Sequence, residues 1–177
     1  NIKIYSFPEF IYEQSKEKIR VVIAGTFGKT TITSMIMHVL KKMEKDFDYV
    51  IGAKIEGFES LIRLTSTARI ILIEGDEYYA SSIDAHSKFH YYHPNIALLS
   101  NISWDSFNME ISEEDYYRQF RDFIYTIVPK GTLVYNKEDA NVVKVVNETK
   151  ELKINRHGYK LPAYTINKGV TYLHNDG

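Results

Sequence analysis

The segment IRVVIAGTFGKTTITSMIMHVL, residues 19–40, decides the fold, because it is typical of a strand, a tight turn and a helix in succession. Residues 19–23 are mainly apolar and β-branched, as in strands that are covered on both faces. Gly25 and Gly28 mark the turn. Residues 29–43 place apolar side chains at the spacing that gives a helix one apolar face. The segment therefore predicts a strand–turn–helix unit.

The turn in this unit has the composition of a phosphate-binding loop. The first turn of a helix offers unpaired N–H groups and partial positive charge, and glycines allow an anion to approach the backbone closely. Lys29 adds a full charge, and the hydroxyl of Thr30 can reach a magnesium ion that accompanies phosphate. Ile23 stands where the usual G-x-x-x-x-G-K-[ST] pattern begins with glycine, so residues 25–31 form a shorter version. The alternative is an ordinary strand–turn–helix whose Lys29 is only a solvated charge.

Length and composition exclude several classes of protein. The chain has 177 residues, the size of one domain, and its net charge of −1 gives no sign of a nucleic-acid-binding surface. It has no cysteine, which is compatible with a reducing compartment. Because the sequence shows no apolar run long enough for a bilayer and no signal peptide, we expect a cytoplasmic protein without a membrane or nucleic-acid partner. The chain starts at Asn1, so we expect it to be a piece of a longer protein.

Strands and helices are predicted to alternate along the chain. Further strands are predicted at residues 49–53, 69–73, 95–99 and 132–135, and further helices at residues 9–18, 112–128 and 138–147. This order predicts an α/β fold of the P-loop type, with a mainly parallel sheet and helices on both faces. Residues 152–173 are expected to form a small antiparallel edge at the C-terminal end. Polar clusters follow four of the predicted strands, at residues 25–30, 74–77, 100–108 and 136–139.

These clusters supply the other candidate site residues, because ligands of parallel sheets gather at the carboxyl ends of the strands. Magnesium takes oxygen ligands and often one or two protein carboxylates beside nucleotide phosphates. Glu74 is the first choice, since it lies nearest the predicted strand, whereas Asp76 and Glu77 fit a surface acidic turn equally well. Asn136 and Asp139 can either hydrogen-bond an adenine or cap the next helix.

Four motifs together resemble the central ATPase domain of the Mur ligases, which are ATP-dependent enzymes that form amide bonds in peptidoglycan synthesis and recycling. The motifs are GTFGKTT (25–31), IEGDEY (73–78), SNISWDSFN (100–108) and LVYNKED (133–139). Within the family, three further segments are most similar to the murein-peptide ligases, and next to the UDP-N-acetylmuramate–L-alanine ligases. These segments are SFPEF (6–10), IDAHSKFHYYHP (83–94) and IVPKG (127–131).

The resemblance implies a three-domain enzyme of which residues 1–177 are the single central ATP-binding domain. The amino-terminal UDP-binding domain and the carboxyl-terminal domain would be flanking domains that are missing here. The full-length protein would use ATP and Mg²⁺ to join an amino acid or tripeptide to UDP-N-acetylmuramate through an acyl phosphate. The isolated domain would be inactive.

The resemblance also implies a role for each matching residue. Lys29 would hold the β- and γ-phosphates, and Thr30 and Glu74 would hold Mg²⁺, so that Lys29 and Glu74 would be the catalytic residues. Asn136 and Asp139 would meet the adenine or ribose. The remaining nucleotide contacts would come from the loop residues Gly25, Thr26, Phe27, Gly28 and Thr31.

Two positions depart from the family pattern and leave other functions open. Phe27 replaces a histidine of the subgroup, and Ser106 follows Asp105 where the relatives have a histidine that assists a metal ion. A serine hydroxyl does not match an imidazole as a metal ligand. One alternative is therefore a degenerate Mur-like protein that binds a nucleotide or muropeptide without ligase turnover. Another is an unrelated P-loop kinase or GTPase, because NKED (136–139) resembles a guanine-reading motif by letter order.

Overall fold

The computed structural model describes residues 2–81, 84–105, 111–161, 164–167 and 170–173, with the backbone alone described at 81, 85, 164–167 and 170–173. The α-helices are α1 (Phe7–Ser15), α2 (Lys29–Lys42), α3 (Glu113–Tyr125) and α4 (Ala140–Asn147), and Lys88–Tyr91 forms a 3-10 helix. The strands are β1 (Ile19–Ala24), β2 (Asp48–Val50), β3 (Ile62–Arg63), β4 (Ile70–Gly75), β5 (Tyr79–Ser81), β6 (Asp84–Ser87), β7 (Ile96–Leu99), β8 (Thr132–Asn136), β9 (Asn155–Tyr159), β10 (Tyr164–Asn167) and β11 (Val170–Leu173).

Seven of these strands form one sheet in the order β3-β2-β4-β1-β7-β8-β9. Within this sheet of described strands, β2 and β3 pair antiparallel and every other pair is parallel. The prediction of a mainly parallel sheet is therefore confirmed. At the centre, Ala24 at the end of β1 lies opposite Gly75 of β4 and Leu99 of β7. The carboxyl ends of three neighbouring strands therefore meet at one rim of the sheet.

Helices cover both faces of the sheet, as predicted. Successive side chains of a strand point to opposite faces. In β4, Ile71 and Ile73 join the apolar core that contains residues of α1, α3 and α4, whereas Leu72 joins a second core with Met37 of α2. The central strands are mainly apolar because they are buried on both faces. None of the helices in the described part of the chain is long and apolar enough to cross a membrane.

The helix ends follow from local capping. The Ser112 hydroxyl accepts a hydrogen bond from the Asp115 N–H at 3.1 Å, so α3 begins where the sequence predicts. Helix α1 begins two residues before the predicted span of 9–18, because the Glu9 carboxylate accepts a hydrogen bond from the Ser6 N–H at 2.7 Å, and it ends three residues before that span.

The predicted antiparallel edge is correct for β10 and β11, which pair antiparallel in a two-stranded sheet of their own. It is wrong for Asn155–Tyr159, which extends the main sheet parallel to β8. Helix α4 provides the crossover that brings the chain back in the same direction. The prediction also missed the short strand β3 and the β5–β6 hairpin. The strands of this hairpin pair with an irregular register.

Candidate functional site

The loop between β1 and α2 has a backbone that requires glycine at two positions. Gly25 has φ +145°, and a Cβ atom there would lie 2.3 Å from the Ser100 hydroxyl oxygen. Gly28 caps the amino end of α2 with φ +77°. Both conformations are rare for residues with a side chain. The loop therefore passes close to the residues that follow β7 and leads directly into the first turn of α2.

Lys29 folds back across this loop. Only 8% of the residue is exposed, so it is not the solvated charge of the alternative interpretation. Its ammonium donates hydrogen bonds to the carbonyl oxygens of Gly25 at 2.7 Å and Thr26 at 3.3 Å. It also donates to Glu77 Oε2 at 2.8 Å. The positive charge thus lies at the centre of the loop.

Thr30 and Glu74 are in direct contact. The Thr30 hydroxyl donates to Glu74 Oε1 at 2.5 Å, and the Gly52 N–H donates to Glu74 Oε2 at 2.8 Å. Glu74 is the fifth residue of β4 rather than a residue after its end, and it is 9% exposed. A hydroxyl and a carboxylate are oxygen donors of the kind that Mg²⁺ takes together with phosphate oxygens. The donor set therefore fits the predicted metal.

Glu77 is a site residue that sequence reasoning left undecided. It is 4% exposed and forms a buried ion pair with Lys29. Burial raises the pKa of Glu77 because it disfavours the charged form, although Lys29 opposes the shift. The intervening Asp76 is more exposed and pairs with Lys88 at 3.2 Å. In the segment EGDE (74–77), the carboxylates of Glu74 and Glu77 are thus buried. The sequence of this segment alone does not predict which of its acids are buried.

Asn101, which lies two residues after the end of β7, fixes the loop through hydrogen bonds. Its side-chain carbonyl accepts from the Phe27 N–H at 2.9 Å, and its amide donates to the Phe27 carbonyl at 2.8 Å. Its main-chain carbonyl accepts from the Thr26 N–H at 3.0 Å. The Phe27 ring itself is 64% exposed. The backbone of Phe27 is therefore fixed, whereas its side chain packs little.

Asn136 and Asp139 contact the same neighbouring loop. The Asn136 amide donates to the Ser100 carbonyl at 3.2 Å. Asp139 accepts from the Val142 N–H at 2.9 Å, which confirms the capping interpretation, and its second oxygen accepts from the Ile102 N–H at 3.4 Å. Contact of either residue with a nucleotide stays a prediction.

The last predicted loop residues lie on two sides of the turn. The Thr26 hydroxyl is 2.9 Å from the Tyr116 hydroxyl of α3, and it accepts from the Ser103 N–H at 2.8 Å. Thr31 is exposed in the first turn of α2. Ser106, the position of the departure from the family pattern, lies outside the described residues.

Comparison with known proteins gives a family and several relatives. The sequence pattern of the Mur ligase middle domain matches residues 23–176. The UDP-N-acetylmuramate–L-alanine ligase of Borreliella burgdorferi is 24% identical over 159 residues, which are 90% of this chain and 32% of that protein. The UDP-N-acetylmuramate–L-alanyl-γ-D-glutamyl-meso-2,6-diaminoheptandioate ligase of Haemophilus influenzae is 31% identical over 142 residues, 80% of this chain and 31% of that protein.

The same fold occurs in a solved structure, that of the UDP-N-acetylmuramate:L-alanyl-γ-D-glutamyl-meso-diaminopimelate ligase from Neisseria meningitides. The TM-score is 0.78 at 24% identity, and the match covers 93% of this chain and 57% of that one. The chain spans about a third of the length of the curated relatives it matches.

Proposed function

Because this chain belongs to the Mur ligase family by its middle domain, we propose that it is the Mg-ATP-binding domain of a longer, cytoplasmic ligase. That enzyme joins an amino acid or peptide to UDP-N-acetylmuramate through an acyl-phosphate intermediate, in peptidoglycan synthesis or recycling. The names of the relatives support the choice of substrates. UDP-N-acetylmuramate, the amino acid or tripeptide and the flanking domains of the same polypeptide are the proposed partners.

The observation that carries the proposal is the joint position of Lys29, Thr30 and Glu74. The lysine and the hydroxyl belong to the first turn of α2, and the carboxylate belongs to the neighbouring strand β4. The Thr30–Glu74 contact of 2.5 Å brings the two elements together at the rim where parallel sheets bind ligands. Two independent predictions from the sequence, the phosphate-binding turn and the acidic strand end, thus meet at one place.

Each residue has a defined task in this proposal. Lys29 and the unpaired backbone N–H groups at the amino end of α2 bind the phosphates, and this end of the helix favours their negative charge. Thr30 and Glu74 hold Mg²⁺, which neutralises phosphate charge when it is bound. Lys29 spreads the charge that builds on the transferring phosphoryl group, the main requirement of this reaction class. Asn136 and Asp139 are the proposed contacts of the adenine or ribose.

The alternative of a Mur-like protein without turnover rests on two departures from the family pattern. These are Ser106 and Phe27, whose exposed ring stands where the subgroup has histidine. This alternative shares nucleotide binding with the main proposal and differs in catalysis. Ligation by the full-length protein, measured with UDP-N-acetylmuramate and candidate amines, therefore separates the two. Robust turnover excludes the degenerate alternative, and ATP binding without any turnover favours it.

Calorimetric titration of the full-length protein with Mg-ATP tests the binding proposal directly. We expect Lys29→Ala to abolish binding, because it removes the only charged side chain of the turn. Lys42→Ala, at the exposed far end of α2, is the matched control and should bind as the wild type does. Wild-type protein that binds no Mg-ATP contradicts the proposal. Preference for GTP over ATP favours the unrelated GTPase.

A further inference from the structure

The buried ammonium of Lys29, which forms an ion pair with Glu77, uses all of its hydrogen-bond donors within the protein. An ammonium has three donors. Those of Lys29 reach the carbonyl oxygens of Gly25 and Thr26 and the carboxylate of Glu77. The pair is well shielded from water, with 9% of the Lys29 side chain and 3% of the Glu77 side chain exposed. In this arrangement the ammonium has no donor left for a phosphate.

A bound triphosphate would compete with one of these three acceptors. In phosphate-binding turns the lysine reaches the β- and γ-phosphates. The carbonyl oxygens of Gly25 and Thr26 belong to the turn that surrounds the phosphates, whereas Glu77 comes from a different element and carries a charge of the same sign as the ligand. Displacement of Glu77 alone would leave a buried carboxylate without its partner, which is an expensive arrangement.

We propose that Glu77 is the counter-ion that holds Lys29 in the nucleotide-free protein, and that a bound triphosphate replaces it while the Glu77 carboxylate takes up a proton from solvent. The inference rests on the proposed function, since it requires a nucleotide at the turn. One O–H bond forms on Glu77, the proton comes from the buffer, and the nucleotide stays intact. Glu77 is thus a positioning residue for Lys29.

The surroundings of Glu77 favour proton uptake. Among the described residues, the titratable groups that face it are Lys29 from α2, Tyr116 from α3 and the neighbouring Asp76. Burial raises the pKa of Glu77, the charge of Asp76 adds to this, and Lys29 opposes it. When Lys29 turns to the phosphates, the opposing contribution weakens and the pKa of Glu77 rises further. Burial also raises the pKa of Tyr116, so its hydroxyl remains neutral.

The sign of the pH dependence follows from this shift. A group whose pKa is higher in the complex than in the free protein takes up protons on binding. Affinity for Mg-ATP should therefore fall as the pH rises between the two pKa values, by up to roughly tenfold per pH unit for one full proton. Glu77→Gln keeps the shape of the side chain and cannot titrate, so its affinity should not follow this dependence.

Calorimetry in several buffers measures the proton directly. The full-length protein is titrated with Mg-ATP in excess Mg²⁺ near neutral pH, in buffers with different heats of ionisation. The slope of the observed heat against the buffer heat gives the number of protons taken up. We expect net uptake by the wild type and none by Glu77→Gln. Asp76→Asn, which removes the neighbouring and more exposed charge, is the matched control and should retain uptake.

The outcomes separate this inference from the proposed function. Wild-type protein that fails to bind Mg-ATP removes the proposed function. Wild-type protein that binds Mg-ATP without proton uptake overturns the inference and leaves the proposed function standing, and this result needs no variant to fold. Proton uptake by Glu77→Gln equal to that of the wild type also overturns the inference.

Discussion

The hydroxyl of Thr30 donates to Glu74 Oε1 at 2.5 Å, and this contact links the first turn of α2 to β4. It explains why Glu74 can be almost buried, since its second oxygen is also bonded, to the Gly52 N–H at 2.8 Å. Both carboxylate oxygens thus have partners before any metal is bound. The Thr30 hydroxyl and the Glu74 carboxylate, which already lie together, would hold Mg²⁺ through their oxygens.

Thr30→Val should raise the Mg²⁺ concentration needed for nucleotide binding, because valine keeps the branched shape and lacks the ligand oxygen. We expect a change of at least the roughly tenfold that loss of an outer-shell partner causes at metal sites. Titration of ATP binding against Mg²⁺ measures it. Thr30→Ser, which retains the hydroxyl, is the control, and an equal effect of both variants would exclude a role of the oxygen.

Gly25→Ala should destabilise the loop, because it adds a Cβ atom 2.3 Å from the Ser100 hydroxyl oxygen at a φ of +145°. A residue forced into such a backbone region costs about 1–3 kcal/mol. Hydrogen exchange of peptides from β1 and α2 in the full-length protein measures the local change in the free energy of opening.

Gly28 offers a matched comparison, since an added Cβ at φ +77° has no heavy atom within 4 Å. Asparagine tolerates this left-handed region better than most residues. Gly28→Asn should therefore change exchange less than Gly25→Ala. A larger change in Gly28→Asn than in Gly25→Ala would show that the stability of the loop does not depend on the close approach of Gly25 to Ser100.

The central strands and the site around α2 could be predicted from local pattern, whereas the partners of the site residues could not. The apolar run of β1, its glycine turn and the stripe of α2 lie within one continuous segment. The placement of Thr30 and Glu74 at one rim follows from the rule that parallel strands end on the same side, but their hydrogen bond does not. The inward direction of Glu77, toward Lys29 and Tyr116, depends on how the chain turns after Gly75, and the local sequence pattern does not specify this turn.

The direction of β9 escaped prediction for a related reason. Strand order and direction depend on the crossover formed by α4, and the residues of β9 (NRHGY) carry no apolar alternation of their own. The sequence predicts a strand that ends at residue 73, whereas β4 continues to Gly75 and includes Glu74. The bonds of Glu74 to Thr30 and Gly52 make that position acceptable.

Asn101→Ala should weaken Mg-ATP binding, because it removes both side-chain bonds that fix the backbone of Phe27. Each hydrogen bond contributes about 0.5–1.5 kcal/mol, so we expect a loss of roughly tenfold in affinity, because an ordered loop supports binding. Calorimetry with the full-length protein measures the affinity.

Phe27→His is the control for the loss of the two hydrogen bonds from the Asn101 side chain. The exposed ring of Phe27 makes little packing contact, so stability should change within about 0.5 kcal/mol, as for other surface substitutions. The variant keeps the main-chain groups that Asn101 binds. An affinity loss in Phe27→His as large as that in Asn101→Ala would show that binding depends on the Phe27 ring rather than on the hydrogen bonds to its backbone.

Arg20→Met should destabilise the fold while leaving the nucleotide site unchanged. Arg20 is 4% exposed. Within the described part of the chain, its guanidinium donates to main-chain carbonyl oxygens alone, those of Ser15, Lys16, Lys18, Tyr92 and His93. Methionine fills similar space and leaves these carbonyl oxygens without their donor. Each buried group that loses its partner costs about 1–3 kcal/mol, so we expect a loss of at least about 2 kcal/mol in stability.

Arg20 lies near the opposite end of β1 from the phosphate-binding turn, about 16 Å along the strand. The Mg-ATP affinity of Arg20→Met should therefore equal that of the wild type at temperatures where the variant is folded. Hydrogen exchange of α1 and β1 reports the stability, and calorimetry reports the affinity. Arg20→Lys retains the charge with fewer donors, so its stability should lie between that of the wild type and that of Arg20→Met. A variant that stays stable yet loses nucleotide affinity would show that the amino end of β1 influences nucleotide binding at the phosphate-binding turn.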